Sequence, residues 1–176
     1  MLALAPPPAF AAPSGDVTAI VRVDCRVRGV DPAPHQLVGY VFTPTGVVRV
    51  THDYGERTSG AFETTRELAP VAAGVFAHVV ARIATPRFYA PHAFRQIGND
   101  LGQSDRRIAV RRAGTTSQIA VEEPVGTADQ TFSHDAEAAL GNAVGDLHGA
   151  TWTPVTGGFD PFALCRTPRT SLGVAP

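Results

Sequence analysis

Two cysteines and six histidines carry most of the reactive chemistry open to this chain of 176 residues. Cys25 and Cys165 alone cannot close a zinc site, which needs four ligands. In an oxidising compartment an even pair reads as a disulfide. The bond would close a loop of about 140 residues, worth about 4–5 kcal/mol in the chain-entropy account. In a reducing compartment the same residues are two free thiols. The histidines are His35, His52, His78, His92, His134 and His148. None has the His-x-His or His-Glu-x-x-His spacing that aims two imidazoles at one metal. His52-Asp53 and His134-Asp135 are adjacent pairs, and neighbours on a strand point to opposite faces, so both are expected at the surface. His78 falls on the outer side of a helix. No serine stands in a Gly-x-Ser-x-Gly elbow, and no glycine-rich loop has a phosphate-binding pattern. The sequence thus offers no catalytic residue, metal set or cofactor.

Recognition chemistry is easier to place. The segment Arg87-Phe88-Tyr89-Ala90-Pro91-His92-Ala93-Phe94-Arg95 lies in a connection of unusual length for a compact domain. Aromatic residues and arginine are the types enriched where partners bind most tightly. Phe88 and Phe94 suit the core, leaving Arg87, Tyr89, His92 and Arg95 to face outward. Trp152, Phe159 and Phe162 give the Gly/Pro-rich tail three bulky rings, enough to dock it on the domain or on a partner.

One string has a known look. Gly145-Asp146-Leu147-His148-Gly149 resembles the Gly-Asp-x-His-Gly element of calcineurin-like metallophosphatases. The resemblance implies Asp146 and His148 as metal ligands of a hydrolase. In that family the element follows a strand, and further ligands lie well downstream. Here it ends an amphipathic stretch, and only Asp160 follows as a carboxylate. A helix C-terminus explains it better, with His148 beside the last carbonyls.

The elements that must position these residues follow from periodicity. Val17, Ala19, Val21, Val23, Cys25 and Val27 alternate with Thr18, Arg22, Asp24 and Arg26, the pattern of a half-buried strand with its charges in solvent. Residues 37–43 and 47–52 flank Pro44-Thr45-Gly46 as a hairpin, and 61–68 suits a third antiparallel strand. Pro70 suits the first turn of a helix over 70–84, with Ala72, Val75, Phe76, Val79, Val80 and Ile83 on its apolar face. A second hairpin over 106–123 turns at Gly114-Thr115. That register pairs Val110 with Ile119, Ile108 with Val121, and Arg107 with Glu122 on the outer face. Ser133 suits the N-cap of a last helix, with Ala136, Leu140, Ala143, Val144 and Leu147 inward. The expectation is an α+β fold: an antiparallel sheet from a first strand and two hairpins, two amphipathic helices on one face, and an extended C-terminal tail. Residues 16–152 form one domain in this reading, and 153–176 the tail.

Composition sets the remaining bounds. Net charge is −1, which gives no global attraction to nucleic acid. No apolar run approaches the roughly 18 residues of a membrane span. Met1 to Pro13, with Ala9-Phe10-Ala11 before Ala12, has the cleavage pattern of a secretory leader, although its basic start and long apolar run are missing; residues 1–15 read as leader-like or as a disordered tail. Cys25, Tyr40, Gly46, Asp105 and Trp152 fit the plan of a loose group of small exported bacterial domains of unknown function, which this chain resembles over residues 17–152. Some members carry a second cysteine soon after the first, and this chain does not. The resemblance implies the α+β layout and export, and no activity. Together these features point to a non-enzymatic, exported accessory domain with a protein partner in the cell envelope. The alternatives are a metal-dependent hydrolase using Asp146 and His148, and a small-ligand module similar in plan to proteinaceous protease inhibitors.

Overall fold

The computed structural model describes residues 16–25, 36–54, 62–90, 105–120 and 127–167. Among the described residues seven strands form one antiparallel sheet: β1 (Val17–Cys25), β2 (Gln36–Thr43), β3 (Gly46–Asp53), β4 (Glu63–Ala69), β5 (Asp105–Arg112), β6 (Thr115–Ala120) and β7 (Thr153–Pro154). Their order across the sheet is β6-β5-β1-β2-β3-β4-β7. The first four strands make a meander, and β5 returns to pair with the free side of β1. Between and after them come α1 (Val75–Ile83), the single turn α2 (Pro86–Tyr89), α3 (Thr127–Gly145) and a 3-10 helix (Pro161–Arg166).

The sheet has two covered faces. On one, Ile20, Phe42, Val47, Ile108, Val110 and Ile119 pack against Val79 and Ile83 of α1, Phe88 of α2, and Phe132, Ala136 and Leu140 of α3. On the other, Ala19, Val21, Val23, Leu37, Val41, Val50 and Ala109 pack against Phe162 and Leu164 of the tail. Alternation sends successive residues of β1 to these two layers, so Ile20 and Val21 are both fully buried, on opposite sides.

This double covering corrects the half-buried reading of β1. Arg22 and Asp24 do leave the face of Val21 and Val23, but they meet α3 instead of open solvent. Arg106 donates to Asp24 Oδ1 at 2.7 Å and to Glu137 Oε2 at 2.7 Å, and Arg22 lies 3.3 Å from Asp24. Two arginines and two carboxylates thereby close a network under the helix. Burial pulls the Arg106 guanidinium down, but hydrogen bonds and charge from Asp24 and Glu137 outweigh it and hold its pKa above the usual arginine value.

Other boundaries also moved. The first hairpin pairs Thr43 with Gly46, leaving Pro44-Thr45 as its loop. The helix expected over 70–84 begins only at Val75, because a turn at Ala73-Gly74 intervenes. The second hairpin pairs Arg112 with Thr115 and Ile108 with Ile119. Its loop is therefore Ala113-Gly114, with Gly114 taking the left-handed φ of 79° at the second loop position, where a glycine has no steric cost. Arg107 consequently faces Ala120 in the register; Val121 and Glu122 lie outside the described residues. Ser133 sits inside α3, since that helix starts at Thr127. Phe132, four residues before Ala136, already carries the apolar stripe upstream of it.

Candidate functional site

The least ordinary part of the molecule is the tail, which straps the face of the sheet opposite the helices. Trp152 is half buried on the helix side, with the Arg49 guanidinium 4.2 Å above its ring. β7 then adds two residues to the edge strand β4, pairing Thr153 with Leu68, and the Val155 amide donates to the Arg66 carbonyl at 3.0 Å. From there the chain turns under the sheet. Arg66 donates to the Phe159 carbonyl at 3.0 Å, and the Arg111 guanidinium lies 4.0 Å from the Phe159 ring centre. Asp160 caps the 3-10 helix by accepting from the Phe162 amide at 3.1 Å. This arrangement suits a short helix whose first amides have no partner within it.

The sheet is shaped to receive the strap. Pro161 lies over Gly39, where the Cγ atom stands 2.5 Å from the place a Cβ would occupy. Any side chain at Gly39 would collide with the strap, which is why a glycine stands mid-strand. Cys165 is joined to Cys25 by a disulfide, with Cα atoms 5.6 Å apart. Beyond it, Arg107 Nη1 donates to the carbonyls of Leu164 at 2.6 Å and Thr167 at 2.7 Å. Arg107 is 3% exposed; expected on a solvated outer face, it instead ties the end of the 3-10 helix.

His52 is a second departure from its expected surface position. It is 7% exposed and stacks between Phe62, at 4.0 Å, and Phe162, at 3.8 Å. Tyr54 tilts against the far ring at 5.3 Å. Burial holds the His52 imidazole below the ordinary histidine range; Asp160 opposes this and Arg66 adds to it. Phe62 is the large apolar side chain left exposed among the described residues, at 44%.

The residues singled out for recognition divide between these layers. Phe162 is buried and Phe159 and Trp152 are half buried, all against their own chain. Tyr89, expected outward, is turned inward and bonded to Arg112, whose guanidinium also lies 5.0 Å over its ring. Phe88 fills the core as expected, and Arg87 is half buried in α2. His92 and Arg95 lie outside the described residues.

Asp146 and His148 stand in the turn that follows α3, on either side of the buried Leu147. The Asp146 amide donates to the Asn142 carbonyl at 2.9 Å and the His148 amide to the Gly145 carbonyl at 2.9 Å, the hydrogen bonds of a helix running out. Among the described residues no group of three or more His, Cys, Asp or Glu side chains could hold a metal ion. Asp146 does line a groove of about 320 Å³ between α1 and α3, with His78, Asn142, Val79 and Ala143.

Sequence reasoning found the cysteine pair and missed Gly39, His52 and Arg107. A glycine inside an alternating strand and Ala109 between Arg107 and Arg111 were the available signals that something lies close on that face. No protein-family model, no curated protein and no solved structure matches the chain.

Proposed function

We propose that this chain is a non-enzymatic exported accessory domain of the cell envelope that acts through contact with a protein partner. The observation that carries the reading is the Cys25–Cys165 disulfide between β1 and the strap, because such bonds persist in oxidising compartments. The tail's aromatics are packed against their own chain, which leaves partner contact to other side chains. No helix among the described residues is long and apolar enough to cross a membrane.

With Phe162 and Tyr89 buried, partner contact in this reading falls to Phe62 with its neighbour Tyr54, and to the connection that begins at Arg87. A photoreactive phenylalanine analogue in place of Phe62, used for crosslinking in the native cell, tests it directly. The expected result is a crosslink to an envelope protein, from a chain found in the envelope or secreted fraction without free thiols. Recovery from the cytosol with both thiols reduced would remove the proposal, as would hydrolysis of a generic ester, phosphate or peptide substrate by the purified protein.

A further inference from the structure

His52 is the middle plate of a three-ring stack that joins the strap to the sheet. Phe62 comes from the approach to β4 and Phe162 from the 3-10 helix, and their planes lie within 20° and 26° of the imidazole. The ends of the strap are held by other means. On one side β7 pairs with β4, and on the other the disulfide and Arg107 fix the chain from Leu164 onward. Between those ends the strap rests on the stack, on the Arg66 bond to the Phe159 carbonyl and on the contact of Pro161 with Gly39.

We propose that His52 is an acid-operated latch: its protonation parts Phe162 from the imidazole and lifts the segment between β7 and Cys165 off the sheet, while both ends stay attached. Segment 156–163 would then uncover part of the apolar face formed by Leu37, Val41 and Val50. The inference goes beyond the accessory role and does not depend on it.

The balance of charges around the ring sets the direction. From the strap, Asp160 attracts an imidazolium, but it already accepts the Phe162 amide. From β4, Arg66 repels one. β2 places Leu37 opposite His52, and Tyr54 meets the far side of Phe62, so neither brings a counter-charge. Enclosure by two phenyl rings denies an imidazolium the hydration it has when free, and this burial is the largest influence on His52, lowering its pKa. A group harder to protonate when latched than when free favours the latched state fully above its free value. That preference declines as pH falls through the ordinary value of 6.5 and stops declining below the latched value.

Amide hydrogen exchange on the full disulfide-bonded protein, corrected for intrinsic rates, reads the latch at about pH 7.5 and about pH 5. The Ala163 amide is bonded to the Asp160 carbonyl in a short 3-10 turn that is sheltered while the strap lies on the sheet, and it is expected to lose protection at the lower pH as that turn is freed. The Val155 amide, bonded to Arg66 on the β7 side, is expected to keep its protection. His52→Phe retains a ring in the stack without a titrating group, and is expected to keep Ala163 protected at both values. Unchanged Ala163 protection in the unaltered protein would overturn the latch, as would an equal loss in His52→Phe or a parallel loss at Val155. Should His52→Phe fold poorly, the His52 ring titration decides: a midpoint at or above 6.5 in the unaltered protein also overturns it.

Discussion

The two faces of the sheet are buried by different physics. The helix side is covered by area: α1, α2 and α3 set Ile83, Phe88, Phe132 and Leu140 against Ile20, Phe42 and Ile108, and each large side chain contributes through apolar surface removed from water. The strap side is covered by a few residues of tail with two main apolar contributors, Phe162 and Leu164. This thinner layer still leaves Val21, Val23, Val50 and Ala109 fully buried. It stays in place through individual links, namely one disulfide, one buried arginine, one ring stack and one glycine that lets a proline approach. A layer held by area loses stability in proportion to the atoms removed. A layer held by links should detach locally when a single link fails.

The largest effect is expected from the link that also closes the chain. Replacing both Cys25 and Cys165 by serine removes a crosslink spanning 140 residues, which lowers stability by about 4–5 kcal/mol in the chain-entropy account. Urea unfolding of the double variant against the parent measures it. A loss under about 1 kcal/mol would overturn that account, since the strap's native contacts cannot restrict the unfolded chain as the crosslink does. Next is Leu140→Ala on the helix side, where a fully buried side chain leaves a cavity and about 2–5 kcal/mol is lost. That loss should appear as a lower global midpoint, with the strap amides no more exposed than the rest.

Gly39→Ala should act locally, exposing the strap amides more than the rest. The added methyl meets Pro161 at 2.5 Å, and overpacking of this kind costs about 1–3 kcal/mol. The comparison is sharpened by combining variants. Gly39→Ala should be markedly non-additive with loss of the disulfide, since both act on one strap, whereas Leu140→Ala should add to it within about 0.5 kcal/mol. If both combinations are additive, the strap is not a separate unit.

How far the chain could be read in advance follows the same division. The helix side was legible because helical and strand periods are local: Ala136, Leu140, Ala143 and Leu147 announce a stripe, and the alternation of β1 announces a strand. The strap side was not, because its evidence is scattered. Gly39 has a meaning only once Pro161 lies above it, some 120 residues later. Arg107 reads as a surface charge until the carbonyls of Leu164 and Thr167 are brought to it. Arg22 and Asp24 mislead for a related reason: a charged face signals solvent, unless another element delivers compensating charge, as α3 does with Glu137. The cysteines were the exception, since a two-cysteine chain has one possible intramolecular pairing.

The smallest effect tests where one regime passes into the other. Trp152 belongs to the helix-side core, yet it leads directly into β7 and the strap. Arg49 lies over its ring at 4.2 Å and bonds Glu67 at 2.6 Å, so one guanidinium ties β3 and β4 to the crossing point. Arg49→Met keeps much of the side-chain volume and removes the charge, at a cost of about 0.5–1 kcal/mol for a partly exposed contact. If Trp152 acts as part of the helix-side core, its fluorescence and the protection of the Val155 amide should survive the substitution, with only the global midpoint lowered. Selective loss of Val155 protection would instead make the crossing point one more link of the strap. The boundary between the two regimes would then move from the edge of the sheet to the ring of Trp152.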